Sequence, residues 1–257
     1  MKLCLITCNI RFDNPADGDN AWKHRRLFLK ETLLKHAPDV IATQEGRYDQ
    51  LRDLEELLEN YEIIDQHRSW IKERMYPAFF VKKNTFEVCK SEDLWLSETP
   101  DIAGSLSFES AFPRLMTWVR LQPINTDKNL VIINTHLDHV KEETRINQMK
   151  VLIQETKKFW KGDCPIAFMG DFNDSPESEV RSLISAEFPG IQDSWKLYNQ
   201  EEETSHHAFT GEMQNGSRID WILIDPSIKV ESSEMDKSRK ENLFPTDHFP
   251  IVTKITL

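Results

Sequence analysis

The feature that most constrains this chain is a series of short apolar runs, each bordered by a small group of polar residues. The runs occupy residues 3–6, 40–43, 78–81, 116–121, 130–134, 166–169, 219–224 and 251–255. They are rich in Val, Ile and Phe, and their shortness and β-branching predict strands rather than helices. Four stretches between them have helical period. Trp22, Leu29, Leu33 and Ala37 share one face; Leu51, Leu54 and Leu58 form a second stripe; Ile146, Met149, Ile153 and Trp160 form a third. A fourth opens at Ser175-Pro176-Glu177, predicted as an N-cap followed by proline at the first helical position, and continues through Val180, Leu183 and Ile184. Many strands with a few interspersed helices require a layered α/β domain. Periodicity leaves barrel, doubly wound sheet and sandwich open. No Pro/Gly/Ser linker and no internal repeat divides the chain, so residues 1–257 read as a single domain.

Composition narrows the function. A net charge of −11 argues against a large duplex-DNA footprint, because such affinity rests on Lys and Arg neutralising phosphates. The basic residues Arg25, Arg26, Arg47, Arg68, Lys72 and Arg74 are scattered, and Arg25 and Arg26 are expected on the exposed face of their helix. The Trp and Phe residues fall at helical and strand periods, which predicts core packing over base stacking. Cys4, Cys8, Cys89 and Cys164 lack metal-site spacing; Cys4 and Cys8 share a strand face and are expected to pack as small hydrophobes. Residues 1–6 offer one lysine and a short apolar run, too little for a secretory signal, and nothing approaches the roughly 18 apolar residues of a membrane span. The expectation is a soluble, cytoplasmic monomer.

The polar residues bordering the runs carry the functional signal. One run ends in Cys8-Asn9, another in Gln44-Glu45, a third in His136-Leu137-Asp138-His139 and a fourth in Gly170-Asp171-Phe172-Asn173. Two later runs are preceded by theirs: Arg218-Ile219-Asp220 and Thr246-Asp247-His248. Strands running toward one rim of a sheet end there, and antiparallel partners begin there. Six segments can thus deliver Asn, Glu, His and Asp to one rim. Solvated strand ends explain any one of these, but they would sample Lys, Ser, Gly and Thr as freely. Oxygen ligands from Asp, Glu and Asn select a hard cation such as Mg²⁺, and no thiolate joins the set. Zinc through His136 and His139 is the weaker alternative, since H-x-x-H at a strand end lacks the one-face helix geometry of zinc proteases.

Taken in order, Thr7-Cys8-Asn9-Ile10-Arg11, Gln44-Glu45, Asn134-Thr135-His136-Leu137-Asp138, Gly170-Asp171-Phe172-Asn173, Arg218-Ile219-Asp220 and Thr246-Asp247-His248 resemble the motifs of the endonuclease/exonuclease/phosphatase superfamily. The likeness covers nearly the whole chain. The stretch from Trp95 to Pro100, the Pro113-Arg114 pair and Asp138-His139-Val140 resemble a bacterial subgroup near the deadenylase-type branch. That resemblance implies a four-layered α/β sandwich, two mixed β-sheets packed face to face with helices outside. It implies Mg²⁺ as cofactor, with Mn²⁺ able to substitute, held on the side of Asn9 and Glu45 with Asp247 assisting. It assigns Asp171 to the attacking water, Asn173, His136 and His248 to the phosphate, and Asp220 to orienting His248. Arg114, in a loop-like Ala111-Phe112-Pro113 context, is a candidate substrate-binding guanidinium. His207 is a candidate to reach the pocket, set against plain solvation of a polar loop.

The implied activity is hydrolysis of a phosphoester by in-line attack of a metal-activated water, on a small or short phosphorylated substrate. The chain has neither the leucine-rich repeats of large poly(A)-tail enzymes nor the basic inserts of DNA-repair endonucleases. A nuclease or 3′-exonuclease on single-stranded nucleic acid is the enzymatic alternative. A catalytically inactive binding protein is the other, although Glu45, Asp171, Asp220 and His248 are all present.

Overall fold

A computed structural model of the protein describes residues 1–198, 201–212 and 216–257. In chain order the elements are β1 (Lys2–Asn9), α1 (Trp22–Leu34), β2 (Val40–Gly46), α2 (Tyr48–Leu57), β3 (Tyr61–Ile63), β4 (Tyr76–Lys82), β5 (Phe86–Trp95), β6 (Leu115–Pro123), β7 (Leu130–His136), α3 (Glu142–Phe159), β8 (Ile166–Asp171), α4 (Glu179–Glu187), β9 (Gln192–Asp193), β10 (Asp220–Ile224), β11 (Lys229–Met235) and β12 (Ile251–Thr256). They form two mixed six-stranded sheets, ordered β11-β12-β1-β2-β4-β3 and β5-β6-β7-β8-β10-β9.

The layering follows from the two faces of each central strand. In β1, Leu3 and Leu5 join the core between the sheets, with Val40, Phe79, Ile132 and Met169. Cys4, Ile6 and Cys8 face the other way, onto Leu29 and Leu33 of α1 and Leu51 and Leu54 of α2. On the second sheet, Ile133 and Phe168 meet Met149 and Leu152 of α3 and Val180 and Ile184 of α4. Strands buried on both faces must be apolar throughout, which is why they appear as continuous runs. The result is the four-layered sandwich that the motifs imply. No described helix is long and apolar enough to cross a membrane.

Two local expectations are corrected. The Ser175-Pro176-Glu177 segment forms a turn in which the Ser175 hydroxyl accepts the Glu177 N–H. The helix starts one turn later, with Ser178 as N-cap accepting from the Arg181 N–H. Arg25 is fully buried, not exposed. It lies at i+3 from Trp22 and i−4 from Leu29, within the apolar stripe, and its guanidinium donates to the carbonyls of Ile10 at 2.7 Å, Arg11 at 2.7 Å, Asn20 at 2.9 Å and Pro245 at 3.1 Å. Five donors on one fork can satisfy several loop carbonyls at once. Arg25 thereby ties the loop after β1 to the loop before β12. Arg26 is part-exposed and pairs with Asp53.

Candidate active site

The sheet topology brings the six polar groups to one rim. Strand β1 runs parallel to β2, with Asn9 opposite Gln44. Strand β7 runs parallel to β8, with His136 opposite Asp171. Strand β10 returns antiparallel to β8, so Asp220 pairs with Asp171, and β12 returns antiparallel to β1. Four strands, β1, β2, β7 and β8, therefore end at the rim, and their antiparallel neighbours β10 and β12 start there. Beneath it a polar crosslink joins the sheets: the Gln44 side-chain amide donates to Asn134 Oδ1 at 2.7 Å, and Asn134 Nδ2 donates to the Thr43 and Ala78 carbonyls.

Local backbone aims the side chains. A bulge between Thr43 and Gly46 interrupts the β2–β4 pairing and leaves Glu45 with φ +66°, which turns its carboxylate out of the strand. Arg11 and Asn173 likewise adopt positive φ, 52° and 51°. Such conformations concentrate where surrounding structure fixes them for a purpose. At Gly170, φ +140°, an added Cβ would collide with the Thr135 carbonyl, so only glycine lets β8 approach β7 before Asp171.

The cavity at the rim has a volume of about 310 Å³, and Glu45, Arg114, His136, Asp171, Asn173, Asp247 and His248 line it. Asp171 lies at its floor, 1% exposed; Oδ2 accepts Asn9 Nδ2 at 2.9 Å and Oδ1 accepts the Asn173 N–H at 2.9 Å. Burial, and then the negative charge of Asp220, hold the Asp171 carboxyl well above the ordinary range. His248 Nδ1 donates to Asp220 Oδ2 at 2.8 Å, and its Nε2 stands 3.9 Å from Asp171 Oδ2. Burial would depress this imidazole, but the Asp220 carboxylate and its hydrogen bond outweigh burial and lift it to about 10. Asp220 itself stands behind His248, outside the lining.

Arg114 is 5% exposed and has no carboxylate partner among the described residues. Its Nη1 meets His136 Nδ1 at 3.0 Å and its Nη2 meets His139 Nδ1 at 3.3 Å. A guanidinium can only donate, so both imidazoles accept at Nδ1 and carry their proton at Nε2. Burial, and then Arg114's charge, keep His136 well below its usual pKa and therefore neutral. Its Nε2 lies 3.4 Å from Asp171 Oδ2. Asn173 lines the cavity with its amide nitrogen on the Leu137 carbonyl at 3.0 Å.

The donor set suits a hard cation. Glu45 and Asp247 present oxygens to the cavity, and among the described residues Glu45 accepts only the Phe12 N–H and Asn9 Nδ2, both at 3.1 Å. No thiol lines the cavity; Cys8 is buried and its thiol pushed well up by burial. By spacing alone, Asp171, Asp220 and His248, or His206, Asp247 and His248, could also hold an ion. His248 belongs to both groups; its Nδ1 is held by Asp220 Oδ2 at 2.8 Å, which leaves Nε2 as the nitrogen facing the cavity. Asn9 turns its N–H groups to Glu45 and Asp171 while its Oδ1 accepts the Arg11 N–H at 2.9 Å, so here it spaces two carboxylates.

His207 is neither solvated nor in the cavity. It is 1% exposed, stacks on Phe249 with centroids 4.1 Å apart, and is lowered to about 4 by burial. His206 takes the place at the cavity wall, its ring 4.7 Å from that of His248. Neighbours on extended backbone face opposite ways, so seating His207 in the core points His206 outward. Arg11, Phe12, Arg47 and His139 also line the cavity without having been singled out as site residues. Two of them carried a sequence signal: Arg11 closes the first motif, and His139 follows His136 by three residues.

The Endonuclease/Exonuclease/phosphatase family model matches residues 6–248. The carbon catabolite repressor protein 4 homolog 3 of Arabidopsis thaliana is 23% identical over 173 residues, covering 64% of this chain and 36% of that protein. The match thus spans about a third of that relative's length. An endonuclease/exonuclease/phosphatase from Bacteroides vulgatus superposes with a TM-score of 0.91 at 28% identity, over 100% of this chain and 99% of that one. A mannosyl-6-phosphatase from Bacteroides thetaiotaomicron superposes at 0.88 with 24% identity, over 99% of this chain and 100% of that one, a likeness of fold. With six motifs converging on one rim and a family match across nearly its whole length, the chain belongs to the endonuclease/exonuclease/phosphatase family.

Proposed function

We propose that the protein hydrolyses a phosphoester of a small or short substrate by in-line attack of water at the rim of the two sheets. The observation that carries this reading is a base and an acid facing one cavity. Asp171 is a carboxyl held above its ordinary range, and His248, raised by Asp220, places Nε2 3.9 Å from Asp171 Oδ2. Environments that push two groups' pKa values in useful directions mark acid–base assignments.

A divalent hard cation, Mg²⁺ or Mn²⁺, held by Glu45 and Asp247 would neutralise phosphate charge and polarise a water. The remaining work falls to this chain's own groups. Asp171 orients the water and takes its proton. His248 directs Nε2–H to a phosphate oxygen, with Asp220 fixing its tautomer and charge. Arg114, His136 through Nε2–H and Asn173 hold the other oxygens. Asn9 keeps the Glu45 and Asp171 carboxylates in register.

The cavity of about 310 Å³ is at the small end of ligand sites, and a mannosyl-6-phosphatase shares this fold. Both support a small phosphomonoester over duplex DNA, as does the net charge of −11. The test is a screen of phosphomonoesters, phosphodiesters and oligonucleotides with Mg²⁺ or Mn²⁺, with turnover expected to be greatest on a small phosphomonoester. Salt-sensitive activity greatest on oligonucleotides would replace this reading with a nuclease. No turnover on any class would leave a binding protein.

A further inference from the structure

Several arginines of this acidic chain are committed to carboxylates: Arg26 to Asp53, Arg52 to Glu55 and Asp65, Arg68 to Asp93, Arg145 to Asp174. Arg47 is not. Among the described residues its guanidinium makes no ion pair or hydrogen bond, and its Nε is buried with no partner. A buried donor left unmade is costly, so its retention calls for an explanation.

Position supplies one. Arg47 heads α2, whose N-terminus has no side-chain cap, so the positive end of the helix adds to the guanidinium charge. Its guanidinium stands 4.6 Å from the centroid of the Phe12 ring, which fixes its place. Arg11 reaches the same ring at 4.5 Å but is paired with Asp17 at 3.1 Å, which leaves Arg47 as the unneutralised member. Phe12 in turn gives its N–H to Glu45, so this platform adjoins the side of the cavity opposite Arg114, on the other sheet. Arg47 lines both the catalytic cavity and a neighbouring hollow of about 270 Å³, whose lining also holds Lys72, paired with Asp49, and the carboxylates of Asp13, Asp53 and Glu73, so an anion is favoured at the Arg47 junction itself and not deeper in that hollow. It therefore stands where a substrate reaching beyond the cleaved phosphate would pass.

We propose that Arg47, seated on Phe12 at the junction of the two hollows, binds a second phosphate of the substrate. Preferred substrates then carry a phosphate beside the one that is cleaved. A planar fork offering several N–H groups suits a phosphate better than any neutral substituent. The inference rests on the phosphoesterase reading above. The second phosphate could belong to a small bisphosphate or to the next nucleotide of a short nucleic acid.

The test is calorimetric binding with Mg²⁺ present, in an Asp171→Asn background so that the probes survive. One pair of probes is a hexose 6-phosphate and the corresponding hexose 1,6-bisphosphate; the other is a dinucleoside monophosphate with and without a 5′-phosphate. In at least one pair the extra phosphate is expected to tighten binding by on the order of 10–100-fold, the worth of a hydrogen bond to a charged group. The pair that shows the gain identifies the source. Adding Arg47→Gln should erase the gain and leave the singly phosphorylated probe unchanged; Arg47→Lys, with charge but no fork, should keep part of it. Circular dichroism confirms that each variant is folded. Equal weakening of both members of a pair would place Arg47 in the cleaved-phosphate site and overturn the proposal, as would no gain in either pair. If no probe binds even with Arg47 present, the phosphoesterase reading fails along with it, whereas failure of the second-phosphate gain alone leaves that reading standing.

Discussion

Asp220→Asn keeps the size of a side chain that is 1% exposed and removes only its charge. The consequence falls on His248. His248 loses the carboxylate that outweighs its burial, so the ring becomes neutral at working pH and its hydrogen bond to the phosphate loses charge assistance. Asp171 loses the negative charge of Asp220 and the positive charge of His248 together, and the two act on it in opposite directions, so the loss runs through His248. A preorganised donor aimed at developing oxyanion charge contributes about 2.7–4 kcal/mol, or on the order of 10²–10³ in rate at about 1.36 kcal/mol per tenfold. The expected loss in kcat/KM is of that size for Asp220→Asn and for His248→Ala alike. Because Asp220 acts on the phosphate only through His248, the double variant should fall no more than about tenfold below the worse single variant. Independent residues would multiply to a loss of about 10⁴–10⁶ on the same arithmetic. The assay is initial-rate kinetics on whichever substrate the screen identifies, with urea melts to confirm folding. Multiplicative losses, or single variants near the parent rate, would show that the pair is not a unit.

Four further outcomes are expected. Asp171→Asn keeps the shape of the cavity floor but can no longer take a proton, so turnover should drop on the order of 10²–10⁴-fold with the fold intact; parent-like turnover would remove it from the mechanism. Glu45→Gln should weaken Mg²⁺ and Mn²⁺ binding measured by titration calorimetry, and full activity after exhaustive chelation would contradict a cation requirement. Gly170→Ala drives a Cβ into the Thr135 backbone and should cost about 1–3 kcal/mol in urea unfolding, an estimate that an unchanged midpoint would defeat. Asp93→Asn strands the fully buried Arg68 side chain and should cost about 3–5 kcal/mol near neutrality. In Asp93, burial would raise the carboxyl but Arg68 outweighs it and holds it well below the usual range. Its contribution is therefore complete above the unfolded pKa of about 3.9 and fades as pH falls below that. Parent and variant should converge in acid, and a constant gap down to the acid limit would assign the loss to packing instead.

The strands that were legible and those that were not divide by position. All eight apolar runs became strands, and all lie inside the sheets. The four strands without such a run, β3, β5, β9 and β11, are the four sheet edges. β5 and β11 are mostly half-buried or exposed and carry charged residues, and β3 and β9 are two or three residues long. Edge strands have one side open to solvent and are kept short or charged against further pairing, so they carry little apolar signal.

The site divides in the same way. Chain chemistry alone determined the ends of the strands: an apolar run stops where its core stops, and the residue types waiting there, Asn9, Glu45, His136, Asp171, Asp220 and His248, limit the chemistry to oxygen ligands and acid–base groups. Only tertiary structure decided which of two adjacent residues faces inward, as with His206 at the cavity and His207 in the core. It also decided which charges are neutralised. Arg25 lies buried on carbonyls contributed by residues as distant as Pro245, while Arg47, among the described residues, is left without a hydrogen-bonding partner beside the cavity. Periodicity records which face of its own element a residue occupies. Burial and pairing depend on what other elements bring within about 3 Å, the length of a hydrogen bond, and that is settled only when the sheets close on each other.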